Sequence, residues 1–353
     1  IMNISLFQDY LKPANVKKII LVANVYGKTE HYISSPEQLK IEFFNEREMN
    51  EIKISLREEG YDFLAYYDEH EFISDVENHV VNPDEDILVF NLARNGYGVS
   101  KKSLIPTFCD YYKIKYTGSN GYTCSLARNK HHVSNLLLQN NLHGLKTWVY
   151  EDGWQLGMVP DGCMEVIIKP LFESASKGIR PDCIINTSSI NFENKVREKY
   201  LELKSPLVVE QFIHGYECKV PIFVLDNLSV CDPIGISING NQNLDKMIIT
   251  QDLSYHYSYD NYALSECFSN SVIEEIKEYA GKVFEFLGME NYGRIDCRVT
   301  PNGEFYFNDY ATMPYFTHHS EMFYLFGSHH LSQGKLFNVI FNSALITKYH
   351  YNV

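Results

Sequence analysis

Arg294, Asp296 and Asp309 are the residues of this chain whose types and spacing most directly suggest chemistry. They lie in the stretch Tyr292 to Tyr315, where two alternating segments flank Asn302-Gly303. That dipeptide is the strongest short-range sign of a two-residue type I′ hairpin turn. With such a turn Pro301 faces Glu304, and Asp296 falls opposite Asp309. Period-two alternation then puts Arg294, Asp296 and Arg298 on one face, with Phe307, Asp309 and Ala311 across from them, and turns Ile295, Cys297 and Val299 toward a core. Two opposed carboxylates repel unless a cation lies between them, so the register predicts a Mg²⁺-type oxygen site on Asp296 and Asp309. The competing reading of the same pattern is an exposed hairpin with scattered charges.

Such a hairpin has to be held by a larger frame. The 353 residues, 45% of them hydrophobic, are enough for two or three lobes with a full-sized core. The first third alternates strand and helix. Ile19 to Val25 is an apolar run, Glu46 to Glu59 is helical with Gly60 as its stop, Tyr61 to Tyr67 is strand-like, and Ile87 to Leu92 is a third strand. A polar loop, 93–102, and a short helix near Leu104 to Tyr112 follow. This is the pattern of a parallel βαβ lobe, whose strand ends shape a crevice. Further on, 127–141 has helical spacing, Thr147 to Tyr150 and Val166 to Pro170 read as strands, and Leu207 to Ile213 is an apolar strand carrying Glu210. Val272 to Leu287 is an amphipathic helix that leads into the hairpin, and Ser254 to Tyr262 reads as a long aromatic loop.

Composition limits the function classes. A formal net charge of −14 argues against general nucleic-acid binding, because neutralising phosphates needs a basic surface. Any anionic ligand must therefore meet a few local lysines and arginines. No segment approaches the length of a membrane span, and the start lacks a basic region followed by an apolar one, so a cytoplasmic location is the default expectation. The eight cysteines are scattered without CxxC pairs and read as reduced, buried thiols, with neither a disulfide frame nor a zinc site.

Five blocks carry a resemblance: Tyr116-Thr117-Gly118-Ser119, Ser125 through Lys130, Val166-Ile167-Ile168-Lys169-Pro170, Glu210 to Glu217, and Gly293-Arg294-Ile295-Asp296. Their order and content resemble the ATP-grasp superfamily, and within it the D-alanine:D-alanine ligase branch, across nearly the whole chain. The resemblance implies an α/β, three-lobed ATP-grasp architecture. Its N-terminal parallel-sheet lobe would span 1–117, its central lobe 118–209, and its C-terminal lobe, carrying the hairpin, 210–353. ATP and Mg²⁺ are the implied cofactors, amino acid-like carboxylates and amines the implied substrates, and a homodimer the implied assembly.

Residue by residue, Lys130 and Lys169 resemble the lysines that hold nucleotide phosphates, although Lys130 in isolation also reads as a surface lysine. Glu210, Phe212 and Ile213 resemble the hinge that reads adenine, and Glu217 resembles the ribose carboxylate, with a solvated loop acid as the alternative. Glu173 to Gly178, including Ser176, resembles the loop whose backbone N–H groups cover the phosphates. Glu46 resembles the carboxylate for a substrate amine, or is an early-helix acid suited to the macrodipole. Ser320 resembles a contact to the second substrate's carboxylate, or is a helix N-cap. Arg294 resembles the stabiliser of a tetrahedral oxyanion, its other reading being a cross-strand ion pair.

The departures are specific. Ala175 stands where the family positions substrate with a serine, the tyrosine-bearing loop has diverged around Ser254 to Tyr257, and Asp309-Tyr310-Ala311 replaces Glu-x-Asn. Tyr315 replaces the glycine after Met-Pro. Two D-alanines are therefore not the expected substrates. A ligase that joins another carboxylate to an amine through an acyl phosphate is the first expectation. A catalytically weakened nucleotide-binding or interaction protein is the second.

Overall fold

The computed structural model describes residues 3–32 and 42–347. The N-terminal part builds β1 (Lys18–Ala23), α1 (Glu46–Glu58), β2 (Phe63–Tyr66), α2 (Glu69–Glu77), β3 (Ile87–Leu92), α3 (Leu104–Tyr112) and β4 (Lys115–Tyr116). The sheet order is β2-β1-β3-β4, and every pairing is parallel. β1 and β3 are apolar on both faces because helices cover both, as an all-parallel sheet requires. α1 starts with a capping box, in which the Asn45 side chain accepts from the Glu48 N–H and Glu48 accepts from the Asn45 N–H.

The periodic segment 127–141 is two helices, α4 (Gly121–Arg128) and α5 (Lys130–Gln139). Asn129 leaves helical geometry (φ −87, ψ 88) and its side chain accepts from the His132 N–H, so the break makes Lys130 the first residue of a new helix. The central sheet holds β5 (Thr147–Tyr150), β6 (Glu165–Pro170), β7 (Ile184–Asn186) and, beyond α6 (Phe192–Leu203), β8 (Leu207–Gln211), in the antiparallel order β5-β8-β6-β7.

The third sheet contains β9 (Tyr216–Val224), β10 (Leu228–Val230) and β11 (Ile234–Ser237). After α7 (Gln251–His256) come β12 (Asp260–Ala263), α8 (Asn270–Phe286), β13 (Tyr292–Val299) and β14 (Phe305–Ala311). Its order is β12-β11-β9-β13-β14, with β10 beside β9. The stretch expected to be a long loop, 254–262, is instead the end of α7 and the start of edge strand β12. β12 pairs with β11 because Asn261 and Tyr262 add backbone partners whatever their side chains. α9 (Glu321–Gly327) and α10 (Gln333–Thr347) complete the chain. They pack back on the N-terminal sheet, since one apolar cluster joins Phe7, Leu21, Phe44 and Phe90 to Phe316, Phe326, Phe337 and Phe341. The hairpin sheet has its own core with α8, through Ile276, Val283 and Phe284 against Ile295, Cys297 and Phe307.

The hairpin itself corrects its predicted turn. Thr300 N–H bonds to Glu304 O (2.7 Å), Gly303 N–H bonds back to Thr300 O (2.9 Å), and Gly303 has φ +89, so the loop has three residues, Pro301 to Gly303. A glycine in that left-handed position is what a three-residue loop demands. Val299 then faces Phe305 and Cys297 faces Phe307, one residue out of the predicted register. A β-bulge at Asn308 restores it, and Asp296 does oppose Asp309. The bulge also moves Phe307 from the expected site face into the core, where it is fully buried.

No disulfide joins the described cysteines, which are mostly buried, though Cys163 is exposed. No helix among the described residues is long and apolar enough to cross a membrane.

Candidate active site

The three sheets converge on a cleft of about 550 Å³. One end of it is built from β6, β8 and α5. Lys169 and Glu210 project from the paired strands β6 and β8 and meet at 2.6 Å. The second Glu210 oxygen is buried and unpartnered, and burial pushes this carboxyl's pKa up against the pull of Lys169 and Lys130. The Lys130 ammonium donates to the Glu173 carbonyl. Burial lowers its pKa to about 8, with Lys169 and Arg128 acting in the same direction and Asp309 against them.

The 173–178 loop lies over this end, closed by charge. The Glu173 carboxylate takes Lys101 at 2.9 Å, Lys177 at 3.3 Å and Arg128 at 3.9 Å, and Lys101 also pairs with Glu42 at 2.8 Å. Burial would raise its pKa, but a hydrogen bond with Glu42 and these cations hold it well below the carboxylate range. Ala175 and Ser176 both sit at φ +54, a strained setting for non-glycine residues that the surrounding contacts of the loop must offset.

The hinge residues Glu210, Phe212 and Ile213 line the cleft, as does Glu217. Arg298, expected beside Arg294 and Asp296, binds the hinge. It reaches Glu217 at 3.4 Å, donates to the carbonyls of Gly215 (3.2 Å) and Asp245 (2.7 Å), and lies 4.9 Å from the Phe212 ring centre.

At the other end four charges form one buried network. Arg294 grips both oxygens of Asp296 (2.6 and 2.8 Å) and one oxygen of Glu321 (2.9 Å), whose other oxygen takes Lys219 at 2.7 Å. Burial pushes Asp296 up to about 6 against the pull of Arg294 and Lys219, so it is still ionised and paired at neutral pH. Glu321 goes the other way. Lys219 and Arg294 overcome its burial and hold it down to about 2. The countercharge that the hairpin register requires at Asp296 is thus the Arg294 guanidinium.

Asp309 makes no ion pair among the described residues. Burial would raise its carboxyl, but Lys130, Lys169 and Arg294 lower it, so it presents an anion to the cleft. Beside it the bulge turns Asn308 into the cleft, where its Oδ1 is buried without a partner, while Ala311 offers no oxygen. No group of three His, Cys, Asp or Glu side chains suited to a metal exists among the described residues. The donor chemistry of Asp309 and Asn308 Oδ1 fits one hard cation that keeps several waters.

Two sequence-derived positions need restating. Glu46 lies exposed, paired with Lys28 at 2.7 Å, outside the cleft. The α1 carboxylate that faces inward is Glu48, half a turn on, which accepts from the Tyr257 hydroxyl at 3.0 Å. Ser320 borders the cleft and also caps α9, accepting from the Phe323 N–H. Sequence reasoning missed Glu48, Arg94, Lys102, Lys219, Asn308 and Glu321, all of which line the cleft. Lys219 was findable, two residues past Glu217 on the same strand face. Glu48 was hidden by its role in the capping box.

Comparison with known proteins gives one consistent pattern. Residues 158–341 match the family model described as D-ala D-ala ligase C-terminus. The chain is 24% identical over 238 residues to a D-alanine–D-alanine ligase of Streptococcus thermophilus, covering 66% of this chain and 65% of that protein. It is 28% identical over 158 residues to the vancomycin C-type resistance protein VanC2 of Enterococcus casseliflavus, covering 44% and 41%. The match therefore spans just under two thirds of the first relative's length. In three dimensions the chain resembles the ATP-complexed D-alanine–D-alanine ligase of Bacillus anthracis (TM-score 0.66, 16% identity, 93% and 97% coverage). It likewise resembles the VanG D-Ala:D-Ser ligase of Enterococcus faecalis (TM-score 0.63, 16% identity, 94% and 100% coverage). At these identities the structural likeness speaks for the ATP-grasp fold.

Proposed function

The chain belongs to the family described as D-ala D-ala ligase C-terminus, and from that premise we propose that it is an ATP-dependent carboxylate-amine ligase acting on amino acid-like substrates other than two D-alanines. The observation that carries this reading is the convergence of Lys130, Lys169, Asp309 and Arg294 on one cleft. Nucleotide binding alone has no use for Arg294, whereas acyl transfer needs a cation where an oxyanion develops.

In this reading Lys130 and Lys169 meet the triphosphate, while Glu210, Phe212, Ile213 and Glu217 receive the adenosine. Ser176 and the backbone of its loop cover the phosphates. Asp309 and Asn308, with Asp296 behind them, would hold Mg²⁺, which would offset phosphate charge. The donor carboxylate oxygen attacks the γ-phosphorus and ADP leaves. The acceptor amine then attacks the acyl carbon, phosphate departs with the carbon–oxygen electron pair, and the amine loses its proton. Positioning and charge neutralisation do most of this work. Glu48, steadied by Tyr257, takes the place first given to Glu46 as the partner of a substrate ammonium. Arg294 faces the oxyanion, and Ser320 contributes its hydroxyl to the acceptor.

The division into lobes at 1–117, 118–209 and 210–353 and a homodimeric assembly are parts of the same proposal. Limited proteolysis and sedimentation velocity respectively test them. Ala311, Ala175 and the full engagement of Asp296 by Arg294 favour the second reading, a weakened enzyme that binds nucleotide. ADP release measured across a panel of amino acids and amines separates the two, because the ligase reading requires release that depends on both substrates.

A further inference from the structure

Most cleft cations already have a carboxylate. Lys169 has Glu210, Lys219 has Glu321, Arg294 has Asp296 and Glu321, Arg298 has Glu217, and Lys177 has Glu173. Lys130 is placed for phosphate. Arg94 and Lys102, both from the loop that follows β3, line the cleft and have no carboxylate partner within ion-pair distance among the described residues; burial, with Arg94 and Arg128 nearby, pushes the Lys102 ammonium well down, so Arg94 is the permanent charge of the two.

Arg94 is held rigidly in place. Its backbone N–H and that of Asn95 donate to the side chain of Asn24, which is fully buried at the end of β1. Its guanidinium lies 3.8 Å from the ring centre of Tyr315 and 5.2 Å from that of Phe44, and one Nη donates to the Met313 carbonyl at 3.1 Å. Tyr315 is itself tied by its hydroxyl, which donates to the Glu42 carbonyl at 3.0 Å. The residue is only 3% exposed, and its Nε is buried without a partner.

A guanidinium cannot shed its proton to escape burial. A buried charge left without a counter-ion is strongly unfavourable, so a site that keeps one is shaped for an anion that arrives with a ligand. The planar fork, stiffened between two rings, matches a carboxylate. The triphosphate is the wrong anion for this position. Its lysines lie on α5 and β6, whereas Arg94 reaches from the N-terminal lobe onto the segment beyond Ala311, where Tyr315 has displaced the family's glycine.

We propose that Arg94, with Lys102 beside it, forms a carboxylate-binding subsite for an acidic group on the substrate, additional to the carboxylate that is activated, so that the preferred donor is a dicarboxylic amino acid. This deepens the ligase reading and rests on it for the word donor; the binding claim stands by itself.

The test uses the full chain with Mg²⁺ and a non-hydrolysable ATP analogue, so that the phosphate sites are filled. Aspartate and glutamate of both configurations are titrated against asparagine and glutamine at matched ionic strength, by calorimetry and thermal shift, with succinate and glutarate as minimal probes. The acids should bind about 10- to 100-fold more tightly than their amides, the value of a lost charge-assisted hydrogen bond. Arg94→Met should remove that preference while keeping affinity for the ATP analogue, and Arg94→Lys should retain part of it. If Arg94→Met does not fold, Tyr315→Leu, which frees the guanidinium, should weaken the same preference. Amides bound as tightly as acids, discrimination that survives in Arg94→Met, or no carboxylate-dependent protection of the wild type would each overturn the proposal. Tight binding of acids that yields no ADP when ATP and an acceptor amine replace the analogue would instead count against the ligase reading alone.

Discussion

Replacing Glu321 by glutamine tests the charge network at the Arg294 end of the cleft. In the wild type Lys219 and Arg294 are balanced by Asp296 and Glu321, all buried. Glu321→Gln keeps the shape and leaves two cations sharing one carboxylate. Breaking a buried pair by removing one partner costs about 3–5 kcal/mol. A chain of 353 residues has an unfolding entropy near 0.7 kcal/mol per degree, so the melting midpoint should fall by about 4–7 °C. The pH dependence gives a second reading. Because the folded pKa, about 2, lies below the ordinary 4.5, this group's stabilisation is fully present above 4.5 and is lost as pH falls through 2. The variant should therefore show a flatter acid limb in that window. Adding Lys219→Met to Glu321→Gln restores neutrality and should recover most of the loss. Scanning calorimetry of the wild type, both single variants and the double variant closes the cycle. A loss under about 1 kcal/mol for Glu321→Gln, or a double variant as unstable as the two singles summed, would refute the reasoning.

Other expectations follow from the same geometry. ATP affinity should weaken as pH rises through about 8, where Lys130 loses its proton; calorimetry in buffers of different ionisation enthalpy should detect proton uptake on binding near that pH, and Lys130→Arg should abolish it. Tyr257→Phe removes the 3.0 Å bond to Glu48, so the donor's KM should rise by about tenfold, the value of a bond to a charged group, with ATP binding unchanged in a fluorescence titration. Gly215→Ala should destabilise the hinge severely, since its Cβ would lie 2.1 Å from the Val299 carbonyl oxygen at φ +133, and thermal unfolding with and without ATP measures it. Ala311→Asn should tighten Mn²⁺ binding in the presence of ADP, read by electron paramagnetic resonance, because it adds an oxygen beside Asp309.

The opposition of Asp296 and Asp309 was legible from alternation and Asn-Gly alone, although two local features cancelled to produce it. A three-residue loop shifted the register and the Asn308 bulge shifted it back. Neither has a sequence signature that period-two counting detects, and Phe307 was misplaced for that reason. The parallel sheet was readable because β3 and α3 are bounded by turn residues on both sides. The split at Asn129 was not, because apolar spacing continues through it, and only the cap reveals it. Placement in the cleft was legible where a motif carried it, as for Lys169 and Arg294. It was hidden where long-range packing carried it: Arg94 is held there by Tyr315 and Phe44, which are far away in the chain.

The central claim is that this cleft activates a carboxylate through phosphate transfer and hands it to an amine. Its most direct test follows oxygen. With a donor amino acid labelled with ¹⁸O in its carboxylate, ATP, Mg²⁺ and an acceptor amine, the account predicts that released phosphate carries one ¹⁸O for each amide formed, and that Arg294→Met suppresses amide and labelled phosphate together. Amide formation with unlabelled phosphate, or ATP binding without any carboxylate-dependent phosphate release across the panel, would contradict it.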